Sequence, residues 1–153
     1  LLRWESAVKI PWGVLLLFAG GIAIASAFVQ SGLAEIIAQE LGALASLPTW
    51  LLILSVCLAV TFLTEVTSNT ATASLLMPVL AVTAGATGIS PMLLMVPAVM
   101  SASCAFMLPV ATAPNAIVFG SGKVSIRQMA RAGFVLNLIG AFVITGVSLL
   151  MLE

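Results

Sequence analysis

The sequence predicts an all-α integral membrane protein, and three observations carry that prediction. The first is composition: 153 residues, 62% hydrophobic and only 7% charged, with a mean hydropathy of +1.29. A soluble domain carries about 25% charged residues, so this chain lacks the polar surface needed to stay in water. The second is distribution: no Asp, Glu, Lys or Arg occurs from Val66 to Gly122. The third is that the apolar runs are cut by polar, proline-containing breaks rather than by ordinary charged loops.

Each run can be placed in order. A spanning helix needs about 20 mostly apolar residues. Pro11–Val29 is the first expected span, with Pro11 as its N1 residue and Gly20-Gly21 at mid-depth. Ser31–Ser46 is interrupted by Glu35 and Glu40 and reads as an amphipathic interfacial helix. Trp50–Phe62 is intensely apolar but short. After it comes the cluster Thr61-Phe-Leu-Thr-Glu-Val-Thr-Ser-Asn-Thr70, then Thr72, Ser74 and a second short arm, Leu75–Val82, ended by Gly85 and Gly88. Two short arms meeting at a polar tip predict a re-entrant helical hairpin, because irregular backbone at membrane depth is tolerated only where it is buried in protein or lines a wet cavity.

Met92–Leu108 is the second expected span, closed by Pro109. Leu108-Pro-Val-Ala-Thr-Ala-Pro-Asn115 breaks the helix there, since each proline lacks an N–H and disfavours helix before it. A short helix, Asn115–Phe119, resumes after it. Lys123, Arg127 and Arg131 form one stripe at i, i+4, i+8 on an expected short surface helix, and Ala132–Leu152 is the last span. The positive-inside rule places that stripe, with Arg3 and Lys9, on the cytoplasmic side. Sidedness does not separate a hairpin from two full crossings, so the hairpin rests on arm length and the polar tip.

Composition also excludes function classes. Five basic and five acidic residues cancel, which leaves no basic surface for nucleic acid. No histidine is present, which removes Ser-His-Asp and Cys-His nucleophiles and every His-containing metal site, so an enzyme is not expected. Cys57 and Cys104 lie in separate apolar runs without a CxxC pair and read as buried bystanders. The opening LLRWESAVKIPW is not a signal peptide, because charges interrupt it. It also lacks an initiator Met, and a longer parent chain is expected.

The tip carries the candidate chemistry. Ser, Asn and Thr are preferred N-caps, so the first arm should end near Val66 and the second begin near Thr70. The end of one helix offers carbonyls without helical partners, and the start of the next offers N–H groups. Carbonyl and hydroxyl oxygens suit a hard cation such as sodium, while the amide end and helix dipole suit a carboxylate. Discontinuous helices in secondary transporters use this arrangement. For Thr61, Thr72 and Ser74 the competing reading is a bond to their own i−4 carbonyl. Glu65, the one acid inside the apolar region, reads either as a functional group or as a structural hydrogen-bond partner at the base of the hairpin.

These motifs resemble those of a known family. Ala102-Ser-Cys-Ala-Phe-Met-Leu-Pro-Val-Ala-Thr-Ala-Pro-Asn-Ala-Ile-Val118 resembles the signature of the divalent anion/sodium symporters, the sodium:dicarboxylate and sodium:sulfate cotransporters. Thr64-Glu65-Val-Thr-Ser68-Asn69-Thr70 looks like the family's hairpin tip, and Ile10–Phe18 like the start of its corresponding span. The resemblance implies one repeat, the C-terminal one, of an inverted-repeat transporter with a re-entrant hairpin and a broken transmembrane helix. By that resemblance residues 1–47 form a spanning and an interfacial helix on the scaffold side, residues 48–131 the transport domain, and residues 132–153 the last transmembrane helix.

Carried over residue by residue, Thr64, Ser68, Asn69 and the backbone of Ala111 would coordinate a co-transported sodium ion, and Asn69, Thr70 and Thr112 would face the anion. Ala113-Pro114 stands where the family often has Pro-Pro, so no contact is assigned to residue 113. The implied partners are a small anionic substrate such as succinate, the lipid bilayer, the N-terminal repeat of the same transporter and a second copy in a homodimer. The implied location is the cell membrane, as a multi-pass protein. Two other readings stay open at this point: sodium-independent dicarboxylate exchange, and a non-transporting membrane scaffold subunit.

Overall fold

In the computed structural model, residues 4, 8–9, 12–33, 36 and 47–152 are described, and the regular structure among them is entirely helical. Six helices follow in chain order: α1 Trp12–Gln30, α2 Thr49–Thr64, α3 Asn69–Thr87, α4 Pro91–Ala102, α5 Ala113–Gly120 and α6 Ile126–Leu152. The expected helix at 31–46 lies largely outside the described residues.

The first and last expected helices are present, with shifted limits. α1 follows the expected run from Trp12 on, and Pro11 lies outside the described residues. α6 begins six residues before Ala132 and takes in Arg127 and Arg131, so the basic stripe is no separate surface helix. Lys123 sits in the turn before it, next to Gly122, whose φ of 71° suits a residue without a Cβ. α6 is long and apolar enough to cross a membrane by length and composition.

Two central expectations are corrected. The second arm is not Leu75–Val82 but the 19-residue α3, which already starts at Asn69 and runs to Thr87. Its early polar residues are accommodated within the helix: Ser74 Oγ donates to the Thr70 carbonyl at 2.7 Å. Gly85 lies inside α3, and Gly88 in the left-handed conformation ends it. Met92–Leu108 is not a continuous span either. α4 stops after 12 residues at Ala102, and residues 103–112 are irregular.

α4 is the hub of the packing. It lies against α2, α3 and α6, while α2 and α3 touch each other only slightly and α1 rests on α3. Ile53, Cys57, Leu94, Ala141 and Ile144 form the centre between α2, α4 and α6. Val60, Ala98 and Ala102 form a second centre that takes Ala73, Leu76 and Met77 from α3. Small residues at these contacts let helices approach closely, as packing in a bilayer requires when lipid is as apolar as the side chains. Gly21 of α1 shows the same device: a Cβ there would stand 2.8 Å from the Ser74 carbonyl oxygen. Pro78, four positions on, lacks the N–H that would normally serve that carbonyl.

α6 is arranged inside out. Its buried face is Met129, Gly133, Asn137, Ala141, Ile144, Thr145 and Ser148, small and polar for the most part. Phe134, Val135, Leu136, Ile139, Phe142 and Val143 are exposed. A soluble helix turns its polar face outward; this one fits an apolar surround.

Candidate functional site

The site begins where α2 ends. Val66 N–H turns back to the Leu63 carbonyl at 3.3 Å, and Thr67 Oγ1 donates to the same carbonyl at 2.8 Å. Ser68 then adopts an extended conformation as the N-cap of α3, its Oγ accepting from Ala71 N–H. The helix therefore breaks over residues 65–68, close to the expected position, with α2 ending at Thr64 and α3 starting at Asn69.

The second break is built around Glu65. This carboxylate is 4% exposed and accepts from the amides of Phe106 (2.8 Å), Met107 (2.9 Å) and Leu108 (3.0 Å). It also accepts from Asn137 Nδ2 of α6 at 2.8 Å. Consecutive N–H groups turned toward one anion form a nest, so a negative side chain does for residues 106–108 what helical carbonyls do elsewhere. Asn115 holds the other side of the loop, donating Nδ2 to the carbonyls of Ala105 (2.8 Å) and Leu108 (3.0 Å). Thr112 is then the N-cap of α5, its Oγ1 accepting from Asn115 N–H at 3.3 Å.

The two breaks meet. Residues 65–70 and 110–113 line one cavity of about 550 Å³. Of the sequence-predicted residues, Ser68, Asn69, Thr70, Ala111 and Thr112 all lie on it. The first residues of two helices, α3 and α5, and the segment 65–68 that follows α2 thus share one space. Amide ends favour an anion and the carbonyl end a cation. Glu65 carries the only formal charge on this lining.

Thr64 is placed differently. It is fully buried behind the cavity, with Oγ1 2.6 Å from the Asn69 side-chain amide and 2.9 Å from the Ala102 carbonyl. A hydroxyl has one hydrogen. That hydrogen serves Asn69 Oδ1, at an O–H···O distance, or the Ala102 carbonyl, one at a time. Thr64 in this arrangement fixes Asn69 from behind.

A second cavity of about 500 Å³ shares Asn69 and Thr70 and is otherwise mostly apolar, with Ile22, Met77 and Val99 on its wall. The tip of α3 therefore faces two spaces.

Sequence reasoning missed Asn115, Asn137 and Gly133. Asn115 was visible only as a residue after the break. Asn137 stands 72 positions from Glu65, and no local pattern joins them. For the three hydroxyls with an open reading, Ser74 takes its i−4 carbonyl and Thr72 pairs with Thr67 Oγ1. Thr61 Oγ1 is buried without a partner among the described residues.

Comparison with known proteins decides the family. The profile described as "Sodium:sulfate symporter transmembrane region" matches residues 1–152. The chain belongs to this sodium:sulfate symporter family. Two curated relatives carry the name sodium-dependent dicarboxylate transporter SdcS. That of Staphylococcus saprophyticus (strain ATCC 15305) is 49% identical over 144 residues, and that of Staphylococcus aureus (strain USA300) is 52% identical over the same number. Each alignment covers 94% of this chain and 28% of the relative, so the chain spans a little over a quarter of the length of the proteins it matches. Membership sets this symporter-family chain among membrane transport proteins of the cell membrane and apart from enzymes.

Proposed function

We propose that the complete transporter containing this chain couples sodium entry to uptake of a C4-dicarboxylate, succinate above all. The observation that carries the reading is the shared cavity, where the N-terminal residues of α3 and α5 and the segment 65–68 that follows α2 come together. The names of the SdcS relatives support both sodium and dicarboxylate.

In this reading, Ser68, Asn69 and the backbone of Ala111 supply oxygens to sodium, with Thr64 behind them. Asn69, Thr70, Thr112 and the amide ends of α3 and α5 meet a substrate carboxylate. Sodium binding orders the tip first, and the anion then enters beside a positive charge. Each net charge carried down the membrane potential contributes about 2.3 kcal/mol per 100 mV, enough for a few ions to concentrate a divalent anion strongly.

The reading includes a partner repeat inverted in the membrane, whose own tip completes the site. It takes the α2–α3 pair as a re-entrant hairpin, residues 48–131 as the moving body, residues 1–47 as scaffold, a multi-pass arrangement and a homodimer. Half the ligands then lie outside this chain.

Reconstituting the complete protein in proteoliposomes tests it. Labelled succinate should accumulate when sodium is imposed outside and should not when potassium replaces it. Uptake indifferent to the sodium gradient, or dependent on succinate preloaded inside, would reject symport for exchange. The isolated 153-residue chain should show no saturable succinate binding.

A further inference from the structure

We propose that α6 tunes the sodium affinity of the shared cavity through Asn137 and Gly133, which hold Glu65 and the loop at 106–108 in place. The proposal rests on the reading of that cavity as a sodium and anion site. Neither residue touches the cavity, so both act as positioning residues.

Asn137 is completely buried. Its Nδ2 donates to Glu65 Oε1 at 2.8 Å, and the orientation is fixed, because a reversed amide would set oxygen against carboxylate. The consequence is an Oδ1 that is buried with no partner among the described residues. An unpaired acceptor at membrane depth is costly, and leucine, with nearly the same shape, would avoid the cost. What asparagine supplies in exchange is the donor to Glu65.

Gly133 lies four positions earlier, also on the buried face of α6. A Cβ there would stand 2.3 Å from the Phe106 carbonyl oxygen and 2.6 Å from Met107 Cα. Both obstacles are backbone, so no side-chain rotation relieves them. α6 therefore holds the loop twice: glycine sets its distance, and Asn137 sets the carboxylate that gathers its amides.

The cavity feels this directly. From the Glu65-bound amide of Leu108 the chain needs three residues to reach Ala111, whose N–H returns to the Leu108 carbonyl at 3.2 Å. Ala111 and Thr112 on the cavity wall thus take their position from the clamped loop. Glu65 itself is the only negative charge on that wall, and shifting it changes the field on any cation bound there. Direct partners of metal ligands commonly change affinity by about 10–100-fold when removed, and Asn137 and Gly133, which stand further back, should act at the lower end of that range.

The test uses the complete transporter in proteoliposomes with Asn137→Leu, Asn137→Ser and Gly133→Ala. Three quantities are read: the sodium concentration for half-maximal succinate uptake, the succinate KM at saturating sodium, and the thermal midpoint of the purified protein. Asn137→Leu should raise the sodium half-saturation on the order of tenfold, with the saturating-sodium KM changed less than about twofold and a near-native midpoint. Asn137→Ser should move in the same direction, as should Gly133→Ala if it folds. A folded Asn137 variant with wild-type sodium half-saturation overturns the proposal. So does failure of both Asn137 variants to fold, because the residue is then structural alone. Wild-type uptake without sodium dependence would instead sink the functional reading and leave the geometry standing.

Discussion

Replacing Glu65 with alanine should lower the thermal midpoint of the complete transporter by on the order of 10 °C or prevent its isolation as a monodisperse species. The carboxylate accepts from three backbone amides and one side-chain amide, all at 2.8–3.0 Å. Alanine leaves all four without this acceptor, the Asn137 amide in a fully buried position. Each buried donor left unmade costs about 1–3 kcal/mol, and the sum rivals the 5–15 kcal/mol net stability of an ordinary domain. Glu65→Gln separates charge from shape: one oxygen still accepts, but its NH₂ faces an amide donor, so it should fall between alanine and wild type. Thermal-shift measurement on the detergent-purified protein decides the matter. A Glu65→Ala midpoint within about 2 °C of wild type would show that these hydrogen bonds are not what holds the second break.

The same carboxylate explains which parts of the fold were legible in the sequence. The first break was, because its causes are local: Ser68 caps α3 from the next residue, and Thr67 and Val66 satisfy the Leu63 carbonyl a turn away. The start of α5 was local in the same sense, with Thr112 capping and Pro114 in its first turn. The end of α4 was not. Ser103-Cys-Ala-Phe-Met-Leu108 is as apolar as a spanning helix, and hydropathy alone carries the helix through it. It departs from helix because Glu65 offers an acceptor from 41–43 positions upstream and Gly133 of α6 occupies the space beside it.

The extent of α3 was misjudged for the opposite reason. Thr70, Thr72 and Ser74 look like helix breakers by composition, yet Ser74 returns its hydrogen to Thr70 and Thr72 finds Thr67. Polar residues whose bonds close within a turn or two do not end a helix. Among the candidate site residues, those at the two helix starts could be named because capping chemistry singles them out. Asn137 could not, since nothing in its neighbourhood refers to Glu65.

Asn69→Ala should give the contrasting outcome: a folded protein with sodium-driven succinate uptake reduced at least about 100-fold, equivalent to about 2.7 kcal/mol in transport efficiency. Among the described residues the side chain makes one hydrogen bond, with Thr64, and Thr64 retains the Ala102 carbonyl when it is gone. The cap of α3 is Ser68, not Asn69. Little stability therefore depends on the amide, and the midpoint should stay within about 2 °C. In the proposed reading, however, Asn69 supplies an oxygen to sodium and a contact to the anion, so one deletion weakens both ligands and the linkage between them. The two losses should appear together, as a raised sodium half-saturation and a raised succinate KM that excess sodium does not restore. Asn137→Leu differs here, since saturating sodium should restore its KM. If Asn69→Ala transports like wild type, the tip of α3 is not the binding site, whatever the shape of the cavity. If it loses uptake only by unfolding, the contacts of Thr64 with Asn69 and Ala102 are scaffold, and the ligands must be sought on other surfaces of the transporter.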